Sequence, residues 1–157
     1  MKRLFSFLIL ATAVFLQGCQ SMTHVVTEST PVTTVVKVDG ASQNDLYVKA
    51  NNWMVDHFHN AESVIQFSDK ESGNIAGRYL LGVVVAPSDY GAGEKAYATI
   101  KVKVKDGASK ITITPESFQY MQGNMFTLYT KENADADIER LMQSFKVAMT
   151  HTESDDW

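Results

Sequence analysis

The sequence contains little cysteine and little proline: Cys19 is its only cysteine, and three prolines are spread over 157 residues. A single thiol excludes a scaffold of intramolecular disulfides and a metal site built from several thiolates. Beyond the N-terminus there is no apolar run close to the roughly 20 residues that a membrane-spanning helix needs. We therefore expect one domain that is stabilised by its own hydrophobic core.

Basic residues are fewer than acidic ones, 14 against 18, which gives a formal net charge of -4. If residues 1–18 are removed by cleavage, Lys2 and Arg3 are lost and the formal charge becomes -6. Nucleic acids and anionic membranes favour basic surfaces. The charge balance therefore argues against either of them as a partner.

The N-terminus has the three zones of a secretory signal. Lys2 and Arg3 precede an uncharged run of 13 residues, 4–16, which ends at Leu16-Gln17-Gly18-Cys19. A positive start, a short apolar stretch and a small residue before the cleavage site are typical of a signal peptide. The run is too short to span a bilayer as a helix, which takes about 20 residues.

The end of this signal resembles the lipobox of bacterial lipoproteins. The resemblance implies cleavage after Gly18 and diacylation of Cys19, which becomes the first mature residue. Gln20 in place of Asp after the cysteine implies transfer to the outer membrane. The alternative is a free thiol behind an ordinary signal peptide, but an unpaired thiol is a liability in an oxidising compartment.

The rest of the chain divides simply. Residues 19–31 are rich in Ser and Thr and are predicted to be a tether, 32–151 to be the folded domain, and 152–157 to be an acidic tail. Hydrophobic periodicity predicts a helix from Ser42 to Asn60, with Asp45 in a capping box, and a second helix over 133–150. Strands are predicted at 33–38, 63–67, 75–86, 96–105 and 110–114.

The strand over 96–105 shows the clearest alternation. Ala96, Ala98, Ile100, Val102 and Val104 are predicted to point inward, and Asp106-Gly107 to form a hairpin turn. The order of elements, β-α-β-β-β-β-α, predicts an α+β two-layer domain in which two helices cover one face of a curved antiparallel sheet. The other sheet face would stay open.

Four stretches carry a family resemblance: Val36 to Gly40, Asp45 to Tyr47, Trp53, and Val64 to Gly77. Together they resemble domain-of-unknown-function family 4468, which has a fold like that of the TATA-binding protein. The likeness spans 33–120, and its most specific part is the Asp-Lys-Glu-x-Gly-x-Ile-x-Gly stretch from Asp69 to Gly77. The resemblance implies the same fold and brings no known activity and no catalytic residues. It implies nothing about DNA binding, because function belongs to sites and not to folds.

The open sheet face is the candidate binding surface, together with the loop over 87–93. Its lysines could attract an acidic partner or the phosphates of lipopolysaccharide. Alternating lysines equally protect exposed strands from aggregation. The residues predicted to form the surface are Tyr97, Thr99, Lys101, Lys103 and Thr112.

Two further motifs each have a structural and a functional interpretation. His57 and His59 could bind a metal with Asp56 or Glu62, but exposed histidines at a helix end are the commoner case, and we predict no metal and no cofactor. Asp69 to Gly73 could hold an acid/base pair, but a polar turn with Gly73 at positive φ is favoured.

The sequence therefore predicts a lipid-anchored protein of the cell envelope, on the periplasmic face of the outer membrane. Its domain is expected to be a non-enzymatic binding module whose partner is an envelope protein, a glycan or a small ligand, and not nucleic acid. The alternatives are an enzyme of unrecognised class and a purely structural surface lipoprotein.

Overall fold

A computed structural model of the chain describes residues 22–60, 62–89 and 91–151. The predicted lipobox, Cys19 with its cleavage site at Gly18, and the acidic tail lie outside these residues. Among the described residues, no helix combines the length and the apolar character needed to cross a membrane.

Five strands form one antiparallel sheet in the order β2-β6-β5-β4-β3. The tight turn at Asp106-Gly107 joins β5 to β6, a longer loop over 86–93 joins β4 to β5, and β2 and β3 are the edges. Their bounds are Val32–Lys37 (β2), Val64–Asp69 (β3), Asn74–Val85 (β4), Glu94–Lys105 (β5) and Ala108–Pro115 (β6).

Two helices cover one face of this sheet. The first, α1, spans Gln43–His57, and the Ser42 hydroxyl caps it by accepting the amide of Asp45 at 3.1 Å. The predicted end at Asn60 is wrong, because the amide of Phe58 already closes the last turn on the carbonyl of Met54. The second, α2, spans Lys131–Thr150, where the Thr130 amide donates to the side chain of Asn133 at 2.9 Å.

The core lies between the helices and the inner sheet face, and the predicted alternation of β5 is confirmed. Ala96, Ala98, Ile100, Val102 and Val104 are all buried. Trp53 and Met54 of α1 and Phe145 of α2 pack against this face, with the rings of Trp53 and Phe145 edge to face at 5.2 Å. The two-layer α+β prediction is therefore confirmed.

The predicted tether over 19–31 is wrong for part of its length. Thr23–Val26 form a strand, β1, which pairs antiparallel with Gln119–Gln122, β7, so that Thr23 lies opposite Gln122. Thr27 is buried and exchanges hydrogen bonds with Phe118 through both its amide and its hydroxyl. These residues belong to the folded domain.

The ribbon of β1 and β7 covers a second, smaller core. Phe118, Tyr120, Tyr129 and Ala134 are buried there against Val84 and Ala96 at one end of the sheet. Tyr129 fits because Gly82 leaves room: a Cβ built on Gly82 would lie 2.4 Å from a carbon of the Tyr129 ring. This contact connects the segment before α2 to strand β4.

Candidate binding surface

The sheet register brings most of the predicted surface residues together on the outer face. Lys101 lies opposite Thr112 on β6 and opposite Ala76 on β4, and Lys103 lies opposite Lys110 and Asn74. Paired residues of neighbouring strands point to the same side of a sheet. Lys101, Lys103 and Thr112 therefore share one face, with Lys110 beside them.

A shallow depression of about 340 Å³ lies on this face, toward the end at which β5 turns into β6. Its floor is low where Ala76 offers only a methyl group between longer side chains. Phe67, on edge strand β3, forms one wall with 52% of its surface exposed. The other lining side chains are Asn74, Lys101, Lys103, Lys110 and Thr112.

Four lysines, here called the lysine face, surround and extend this depression: Lys101, Lys103, Lys105 and Lys110. All four are exposed, and none forms a salt bridge with a described residue. Alternate residues of a strand lie about 6.6–6.8 Å apart. The three lysines of β5 therefore form a row of positive charges with that repeat.

The other end of the outer face is already occupied by its own side chains. Arg78 donates to both carboxylate oxygens of Glu116 at 2.7 Å, and its guanidinium lies 3.6 Å from the centre of the Tyr97 ring. The Tyr97 hydroxyl donates to Glu62 at 2.8 Å, and Lys95 binds the same carboxylate at 2.7 and 2.9 Å. We call these five residues the charge network.

The hydrogen bonds of the charge network keep its two carboxylates ionised and keep Lys95 and Tyr97 protonated. Hydrogen bonds from Lys95 and then Tyr97 lower the pKa of Glu62, and the same pairing raises the pKa of Lys95. The hydrogen bonds from Arg78 lower the pKa of Glu116. Donation to Glu62 raises the pKa of the Tyr97 hydroxyl, which therefore stays protonated.

The predicted surface is thus divided between two environments. Lys101, Lys103 and Thr112 lie at the depression, whereas Tyr97 lies under Arg78 in the charge network, and Thr99 is half-buried opposite Arg78. Phe67 was missed because a β-bulge between Ile65 and Phe67 sets which side of β3 faces outward. Ala76 was missed because the apolar run of β4 does not alternate and so does not show which of its residues face outward. The partners of Tyr97 were missed because they are distant in sequence.

The two histidines of the candidate metal site have different surroundings. His57 contacts the carbonyl of Trp53 through Nδ1 at 2.8 Å and the Ser144 hydroxyl through Nε2 at 3.2 Å, while His59 is exposed. Glu62, a suggested ligand, is bound by Lys95. Among the described residues, no group of three or more His, Cys, Asp or Glu side chains is placed to hold a metal ion.

Ser144 joins the two helices instead. Its hydroxyl accepts the indole N–H of Trp53 at 3.0 Å and lies 3.0 Å from the carbonyl of Leu141, one turn earlier in α2. A cavity of about 390 Å³ lies beside it, lined by His57, Tyr79 and Arg140 among others. The Ser144 hydroxyl already accepts the Trp53 N–H and donates to a carbonyl of its own helix. These contacts are typical of a serine that connects two helices and not of an activated nucleophile.

The remaining two motifs form turns. Asp69 accepts the amides of Glu71 and Ser72 and the Ser72 hydroxyl, and Gly73 has φ +66, so the predicted polar turn is confirmed. In the loop over 87–93, Ser88 and Gly91 exchange backbone hydrogen bonds at 2.9 and 3.1 Å. This closes the loop tightly; Tyr90 is outside the described residues.

Comparison with known proteins bears on the whole of this fold. No curated protein matches the chain. A DUF4468 family protein from Bacteroides ovatus shares 19% identity with a TM-score of 0.54, over 82% of this chain and 92% of its own. A TBP-like protein from Parabacteroides distasonis shares 12% identity with a TM-score of 0.56, over 80% and 95%.

These two crystal structures have the same fold as this chain, and at such low identity the likeness extends to the fold alone. The model of a family described as a domain of unknown function with TBP-like fold matches residues 33–120, more than half of the sequence. The chain therefore belongs to the DUF4468 family.

Proposed function

We propose that this protein is a lipid-anchored, non-enzymatic binding module of the cell envelope, and that its lysine face binds an acidic, extended segment of an envelope protein. The observation that carries the proposal is the lysine face itself. Positive charge is concentrated there on one open surface, around a depression with an aromatic wall.

The charge distribution supports a binding role. The chain has a formal net charge of -4, so a basic surface is not a by-product of a basic composition. Solubility alone would be served equally well by carboxylates, which prevail in the rest of the sequence. Nearby lysines repel each other, and an acidic partner relieves that repulsion.

The geometry favours an extended segment over a compact anion. Side chains on one side of an extended peptide repeat every two residues, about 6.6–6.8 Å. The lysines along β5 have the same repeat. Carboxylates at alternate positions of such a segment would meet Lys101, Lys103 and Lys105 in register.

The anchor follows from the signal sequence and not from the domain. Two or three acyl chains on Cys19 would hold the protein on the membrane, since each buried methylene contributes about 0.8 kcal/mol. Replacing Cys19 with Ser is expected to abolish acyl labelling and to release the protein from the membrane fraction. Unchanged sedimentation of the Cys19→Ser protein would contradict the anchor.

The binding surface is tested with a fluorescent peptide of alternating Glu and Thr, titrated with the protein while anisotropy is measured. We expect Lys101→Glu/Lys103→Glu to weaken binding at least tenfold, and added salt to weaken binding to the unchanged protein. The matched control is Lys49→Glu/Lys146→Glu, which makes the same change of net charge on the helices.

Crosslinking in cells tests the same surface without a chosen peptide. A photoreactive residue at Thr112 is expected to capture an envelope protein, and Lys101→Glu/Lys103→Glu is expected to remove that product. If both charge-reversal pairs reduce peptide binding equally, or if the crosslinked partners stay in place, the lysine face is not the binding surface. Capture of glycan in place of protein would contradict the acidic segment.

A further inference from the structure

A second exposed surface is apolar and lies at the opposite end of the sheet from the lysine face. The loop between β7 and α2, residues 123–128, carries Met125, Phe126 and Leu128 with 85%, 66% and 60% of their surfaces exposed. Met22 and Val26 of the neighbouring ribbon are exposed to 61% and 60%. We call residues 123–128 the apolar loop.

The apolar loop is held in shape by its own hydrogen bonds. The side chain of Asn124 accepts the amide of Phe126 at 2.9 Å, and the carbonyl of Asn124 accepts the amide of Thr127 at 3.1 Å. The Thr127 hydroxyl binds the carbonyl of Met121, and the Leu128 amide binds Val84 on the sheet. The apolar side chains therefore point outward from an ordered turn.

Charge is absent from this part of the chain. No Asp, Glu, Lys, Arg or His occurs over the 14 residues of 117–130, although 20% of the whole sequence is charged. The paired strand β1 contributes only His24. Charged groups are the ones that make entry into a bilayer costly, so the apolar loop itself has the composition of a segment that enters the membrane interface.

The pairing of β1 with β7 places the apolar loop next to the predicted lipid anchor. Thr23 lies opposite Gln122, so the chain leads away toward Cys19 from the same end of the ribbon at which the loop begins. Thr23 follows Cys19 by four positions in the sequence. A chain of four residues spans at most about 14 Å, which confines an anchored domain to orientations with this end near the lipid.

We propose that the apolar loop inserts Met125 and Phe126 into the lipid bilayer, as a second membrane contact that fixes the orientation of the domain. The inference rests on the proposed lipid anchor, which supplies the membrane. The occupant is the lipid surface: the loop is apolar, free of charge, ordered, and adjacent to the site at which the acyl chains would be attached. Exposed apolar patches of this kind mark interaction surfaces.

The test uses the lipidated protein with Phe126→Trp, reconstituted into phosphatidylcholine vesicles that carry brominated acyl chains. Bromine quenches tryptophan only on contact, and the fluorescence of the unchanged protein, from Trp53 and Trp157, is subtracted. The matched control is Phe67→Trp, an exposed aromatic position on the outer sheet face. We expect the indole introduced at position 126 to lose at least half of its emission, and the indole introduced at position 67 to lose none.

A second arm measures the loop without the anchor. The loop alone is expected to bind weakly, so the Cys19→Ser protein is titrated with a large excess of the same vesicles, and Met125→Ser/Phe126→Ser is expected to reduce its partition coefficient at least tenfold. Val55→Ser, an exposed apolar position on α1, is expected to leave it unchanged. Equilibrium sedimentation without lipid is expected to give the same mass with and without the loop substitutions.

The outcomes separate this inference from the proposed function. If the Phe126→Trp protein attaches but its introduced indole is not quenched, the loop insertion is overturned and the anchor stands. Failure of the protein to attach through Cys19 refutes the anchor, and the second arm then decides the loop: tenfold weaker partition supports insertion, and equal partition overturns it. A dimer that dissociates on loop substitution would assign the loop to a second copy and overturn the inference.

Discussion

Replacing Gly82 with Ala tests the contact that connects the end of β4 to the segment before α2. The added Cβ would lie 2.4, 2.6 and 2.8 Å from three carbons of the Tyr129 ring. Carbon atoms that are not bonded normally approach to about 3.5–4.0 Å. The ring must therefore move by about 1 Å, or the strand must move away from it.

Neither movement is easy in this structure. Tyr129 is 8% exposed, packs against Phe118 with ring centres 6.1 Å apart, and donates from its hydroxyl to Asp137 at 2.6 Å. Overpacking a core costs about 1–3 kcal/mol. Loss of the Tyr129–Asp137 hydrogen bond would add about 1 kcal/mol, and the gain from replacing a flexible glycine offsets about 0.4–1 kcal/mol.

We therefore expect Gly82→Ala to lower the free energy of unfolding by about 2–3 kcal/mol. This corresponds to a decrease in melting temperature of about 10 °C for a domain of this size. Urea and thermal denaturation followed by circular dichroism measure both quantities. The control is Gly91→Ala, since nothing lies within 4 Å of a Cβ built there.

The source of the effect is tested by a double-mutant cycle with Tyr129→Ala. If the clash with the ring is the cause, Gly82→Ala costs little once the ring is removed, and the coupling free energy is at least about 1 kcal/mol. Equal stability of the Gly82→Ala and Gly91→Ala proteins would refute the reasoning. So would strictly additive effects of the two substitutions.

Two other predictions concern the same part of the molecule. Burial raises the pKa of Tyr129 to about 12, so the phenol stays protonated in the folded protein after it ionises in the unfolded chain. The contribution of this protonated phenol to the free energy of unfolding is complete below about pH 10. It is lost between about pH 10 and pH 12, which lowers the free energy of unfolding by roughly 2–3 kcal/mol. Urea titrations at several pH values should show a clearly smaller loss in Tyr129→Phe, and an identical pH dependence in both proteins would contradict it. Replacing Ser144 with Ala leaves the Trp53 indole N–H without its acceptor and should lower the free energy of unfolding by about 1–2 kcal/mol, whereas Gln143→Ala, at an exposed position, should change it by less than about 0.5 kcal/mol. Equal effects of the two substitutions would show that the bridge does not stabilise the fold.

The sheet was predictable from sequence where a strand alternates strictly. From Ala96 to Val104 in β5 every second residue is apolar, and a period of two assigns each side chain to one face as soon as the strand is placed. The hairpin at Asp106-Gly107 then fixes the register with β6, which brings Lys103 opposite Lys110. The sequence alone was therefore enough to predict that these lysines share one face of the sheet.

The ribbon of β1 and β7 was not predictable in the same way. Each strand has four residues, and their pairing depends on contacts such as that of Thr27 with Phe118, 91 residues apart. A short segment rich in Ser and Thr has the composition of a linker, and only a tertiary partner makes it a strand. The charge network around Tyr97 was missed for the same reason, since Glu62 and Glu116 come from distant segments.

The pairing of β1 with β7 also determines how the fold bears a mechanical load. Tension directed along β1 at Thr23, against a load at the opposite end of the sheet, acts across hydrogen bonds that stand perpendicular to the strands. All bonds of the ladder then share the force, together with the three that join Thr27 to Phe118. Under a load in that direction the ribbon of β1 and β7 is sheared, and a sheared ladder resists pulling more strongly than a ladder that opens one bond at a time.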